Sequence, residues 1–158
     1  MPLSSTLPPR RRRSAPARLP YPAQVRALLA VLDEAVTAQR FADEAVGACG
    51  EPGPVPGRAA QDCRRAGSAF HRLRARLEEL PLTDAGLVEV QAYAGRLLAY
   101  DQWMLRQSLD LAFRAHPDPR TEAARLRING LGRPADDLRR LRDALRQTGA
   151  GPVPAAPA

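Results

Sequence analysis

Two carboxylates fall where helix periodicity predicts apolar side chains. In the run LVEVQAYAGRLLAYDQWMLRQSLDLAFR, residues placed about 100° apart set Asp101 between Ala94, Leu98 and Leu105. Ser108 lies close to it on the same face. In an earlier helical run, Gln39 and Asp43 fall in the apolar stripe. A bare carboxylate is too costly to bury, so each must be paired, hydrogen-bonded, hydrated or protonated. Two kinds of chemistry meet that demand. Gln39, Asp43, Asp101 and Ser108 could line a pocket for a metal or a small cationic ligand. Alternatively they form a structural polar network, satisfied by Arg64, Gln39 or water. Helical di-metal sites use Glu together with Glu-x-x-His, and no such set occurs here. The expectation is therefore a structural network, with no metal and no cofactor.

The same helical run places Trp103 on its polar face with Arg96, Gln107 and Asp110, and Phe41 points away from the apolar stripe of its own helix. Aromatic residues carry much of the energy of protein interfaces. Phe41 and Trp103 are therefore the interface candidates, unless a later helix covers them. His71 and His116 are isolated, on a helix flank and at a helix end. Cys49 and Cys63 lack ligand spacing and read as one loop thiol and one small core residue in a reducing cytoplasm. There is no phosphate-binding glycine loop, zinc-ligand set or nucleophile elbow. The expectation is a protein that is not an enzyme.

Every one of the 24 basic residues is Arg, and Ile128 and Asn129 are the sole Ile and Asn. That usage points to a GC-rich, bacterial genome, so part of the arginine excess is mutational bias. Arg10, Arg11, Arg12, Arg13 and Arg18, with no acid among residues 1–20, account for most of the net charge of +7. This arm is the candidate anion-binding segment, and any grip on nucleic acid would be non-specific and salt-dependent. The stretch RTEAARLRINGLGRPADDLRRLRDAL has helix–turn–helix length. However, Asp136 and Asp137 would face DNA where base contacts are made, and they fit better as favourable charges at a helix start.

The elements that must position these residues are helices. Residues 1–20, rich in Pro and Arg, and residues 149–158, rich in Pro and Ala, are expected to be disordered. Residues 21–148 carry an all-α, antiparallel up-down bundle of four to five helices. The periodicity predicts helices from about Pro22 to Ala48, Arg58 to Leu80 and Thr83 to Ala115. Two shorter ones follow over 119–128 and 134–147, or one helix broken at NGLG. Thr83 is the expected cap of the third helix, with Leu82 and Leu87 as a hydrophobic staple. In CRRAGSAFHRLRARLEEL, residues Cys63, Ala66, Phe70, Leu73, Leu77 and Leu80 step by three and four, as a packing seam does. The arginines around that seam are flank, which makes the segment a bundle wall. Helices richer in acid alternate with helices richer in Arg, as suits antiparallel neighbours.

No stretch approaches the length of a membrane span. The functional expectation is a cytoplasmic, non-enzymatic protein that binds another macromolecule, as a protein partner or a homodimer. The second reading is a nucleic-acid-associated regulator using the arginine arm. The third is a small-ligand or metal protein using the Asp43/Asp101 layer.

Overall fold

The computed structural model describes residues 18–149. The Arg10 to Arg13 part of the arm and the Pro/Ala tail beyond Gly149 lie outside these residues. The described chain is all α: α1 Tyr21–Gly50, α2 Gly57–Glu78, α3 Ala85–Ala112, α4 Pro119–Arg125 and α5 Arg133–Gly149.

The helix ends follow from local chemistry. Glu51 precedes Pro52, which disfavours the helical region for the residue before it, and Glu51 is extended at φ −66° and ψ 146°. α2 stops at Glu78, shortly before Pro81. The cap of α3 is Asp84, whose carboxylate accepts from the Leu87 N–H at 3.0 Å. This corrects the expectation of Thr83 as the cap. Thr83 has another partner: its N–H donates to Gln24 Oε1 at 2.7 Å, and its hydroxyl accepts from Gln24 Nε2 at 3.0 Å. The buried Gln24 thereby ties the start of α1 to the turn before α3. Asp118 and Thr121 form a reciprocal capping box on α4.

α1, α2 and α3 form the up-down-up core, and α5 packs in the groove between α1 and α3, away from α2. The α2 seam behaves as its spacing predicts. Cys63, Ala66, Phe70, Leu73 and Leu77 are buried and Leu80 is half-buried, while Arg64, Arg65, Arg72 and Arg76 are exposed and Arg74 sits at the edge. The segment is thus a wall of the bundle.

Charge alternation becomes contact between helices. Arg76 of α2 makes two hydrogen bonds to Glu34 of α1. From the other side, Arg146 and Arg142 of α5 reach Asp33 of α1 at 2.7 and 3.6 Å. The more acidic α1 is gripped between two arginine-rich helices. Among the described residues no helix is long and apolar enough to cross a membrane.

Candidate functional site

Asp101 and Gln39 meet in the core, from α3 and α1, both at 0% exposure. Gln39 Nε2 donates to Asp101 Oδ2 at 2.8 Å. The other oxygens of the pair, Gln39 Oε1 and Asp101 Oδ1, are buried without a partner. Two orphan acceptors on adjacent groups signal a missing donor. Below about pH 6 a proton on Asp101 supplies one, since a protonated carboxyl carries an O–H donor. Burial raises the Asp101 carboxyl to about 6, against the lowering effect of the Gln39 hydrogen bond.

Asp43 does not join this pair by hydrogen bond. Its Oδ1 accepts from the Leu131 N–H at 2.7 Å, and its Oδ2 lies 3.4 Å from Arg139 Nη2. Asp43 is thereby the anchor of the α4–α5 loop. Gly130, at φ +137°, brings the loop backbone so close that a Cβ there would lie 2.8 Å from Asp43 Oδ1. Glycine alone combines that φ with that approach. Ser108 bonds back to the Met104 carbonyl of its own helix at 2.8 Å, which satisfies it locally. Arg64 is exposed and takes no part. The layer is thus a buried amide–acid pair, a loop anchor and a self-satisfied serine. Among the described residues, no three His, Cys, Asp or Glu side chains converge as metal ligands would.

Two features escaped the sequence reading. Cys49 lies in the last turn of α1 and is fully buried, not in a loop, and its sulfur is 3.8 Å from that of Cys63 on α2. Both are free thiols. The hydrogen bond to Cys49, and then burial, push the Cys63 thiol well above its ordinary range, so it stays protonated.

The second feature is Arg125, 4% exposed on α4. Its guanidinium donates to the carbonyls of Cys49 at 2.9 Å and Glu51 at 2.7 Å. It also grips both carboxylate oxygens of Glu122, at 2.9 and 2.6 Å, and holds that carboxyl below its usual range. The sequence carried a signal for this. α1 has no basic residue in its last turn, so its terminal carbonyls need a donor from elsewhere. Gly50 completes the junction, because a Cβ there would collide with the Ile128 backbone carbonyl. Arg125→Met is expected to cost about 2 kcal/mol, the scale of orphaned buried polar groups. Arg127→Met, at an exposed position of the same segment, should cost almost nothing. Urea denaturation of both variants checks this, and equal losses would remove the clamp.

The exposed aromatics lie elsewhere. Trp103 is 48% exposed and Tyr100 41%, with ring centroids 5.3 Å apart and planes tilted by 43°. Tyr93 is also exposed, and the Arg96 guanidinium sits 5.5 Å from its ring centroid. Positions 93, 96, 100, 103, 107 and 110 step by three and four along α3. They trace a second seam on the face opposite Asp101. α4 and α5 leave Trp103 uncovered. Phe41, at 37% exposure, stands apart at an α1–α2 groove with Pro56, Arg58 and Asp62.

No protein-family model, curated protein or solved structure matches this chain.

Proposed function

We propose that the protein is a non-enzymatic binding module that recognises another macromolecule through the outer face of α3. The observation that carries this reading is the Tyr100–Trp103 pair, two large aromatics in tilted contact on one helix and held half in water. Trp and Tyr are enriched at interface hot spots, where a partner completes the burial that the fold leaves undone. The buried polar groups, by contrast, bond chiefly within the fold, and among the described residues no substrate-facing constellation of acid, base and nucleophile accompanies them. Two free buried thiols suit a reducing compartment, and the reading places the protein in the cytoplasm of a bacterium.

The full-length chain and a Tyr100→Ser/Trp103→Ser variant, each tagged, would be used to capture partners from nuclease-treated extract. Nuclease removes bridging by the Arg10 to Arg13 segment, whose grip on nucleic acid would be electrostatic. The expected outcome is a partner retained by the native chain and lost with the variant, at matched thermal stability. Equal retention by both proteins would overturn the assignment to α3.

A further inference from the structure

The outer face of α3 is self-complementary, and we propose that its occupant is a second copy of this chain, with the two α3 helices antiparallel about a two-fold axis at Trp103. The proposal rests on reading α3 as the binding face. Exposed and half-exposed positions of this face fall symmetrically about Trp103, at three or four and at seven residues to either side. A C2 interface demands that kind of symmetry, because each residue meets the mirror position of the same surface.

The charges obey it too. Seven residues before Trp103 is Arg96, and seven after is Asp110, so the two-fold sets each Arg96 against the other copy's Asp110. Glu89, Arg96, Arg106 and Asp110 form no ion pair among the described residues. Most charged side chains of α5, by contrast, are paired. Tyr100 then lies beside the other copy's Gln107, and the small side chain of Ala99 leaves room at the crossing. A register centred near Tyr100 instead sets Glu89 against Asp110 twice, a like-charge contact that disfavours it. Of these two registers, charge complementarity favours the one centred at Trp103.

Sedimentation velocity of the full chain, from micromolar to sub-millimolar concentration, tests this. The native chain should show a concentration-dependent dimer, and Trp103→Ser should abolish it. Arg96→Asp and Asp110→Arg should each weaken dimerisation by about tenfold or more, because each creates two repulsive contacts. The double variant Arg96→Asp/Asp110→Arg should recover native affinity, since it rebuilds both pairs with reversed sign. Recovery also rules out misfolding as the cause of the single-variant losses. A native chain that stays monomeric at every concentration would overturn the second copy as occupant, while capture through Trp103 would still stand on its own result. A dimer indifferent to Trp103→Ser would exclude α3 as its interface.

Discussion

Phe70→Ala is expected to destabilise the bundle by about 3–5 kcal/mol, the range for deleting a buried aromatic ring. Phe70 is fully buried and is the largest side chain among the wholly enclosed residues. It stands midway along the α2 seam, where α2 packs against both α1 and α3. Its loss opens a cavity between three helices that the short α1–α2 and α2–α3 connections hold in place, so little collapse can fill it. Arg72→Ala, two residues on and exposed, should change stability by less than about 0.5 kcal/mol, as surface substitutions do. Chemical denaturation of the two variants measures the contrast. Similar losses at both positions would mean that the buried face of α2 has been misassigned.

Asp101→Asn should stabilise the protein at pH 8 and leave it unchanged at pH 4. Burial raises the Asp101 carboxyl in the folded state to about 6, above its value of about 4 in an unfolded chain. The folded state therefore holds the proton more tightly than the unfolded state does. Stability from this group is full below about pH 4, falls as pH rises, and is lost above about pH 6. The whole change is about 3 kcal/mol. Asn is neutral throughout and carries the same shape, with an N–H that can supply the donor missing from the buried pair. Urea titrations of native and Asp101→Asn protein between pH 4 and 8 should converge at the acid end and diverge at the alkaline end. A constant difference across that range would show that Asp101 is ionised in the fold at all pH values.

The sequence by itself determined the helices, the α2 seam and the two anomalies of α3. Each is a property of spacing within one helix. Periods of three and four mark which face is buried whatever it packs against. That is why Asp101 was legible on the apolar face of α3, and Trp103 on the polar face, before any neighbour was placed. Proline and glycine marked most of the boundaries for the same local reason. The α3 cap differed by one residue because Thr83 and Asp84 are both competent caps, and the choice belonged to Gln24, 59 residues away on α1.

Only the tertiary structure decided which polar groups meet. The sequence grouped Gln39, Asp43, Asp101 and Ser108 in one layer, and helix rotation then bonded Asp101 to Gln39 and turned Asp43 toward Leu131 and Arg139. The Cys49–Cys63 contact and the Arg125 clamp are long-range in the same way, joining residues 14 and 76 apart in the chain. Spacing within a helix records which face is apolar. It does not record the rotation and translation of one helix against another, and those are fixed by how all the side chains pack at once.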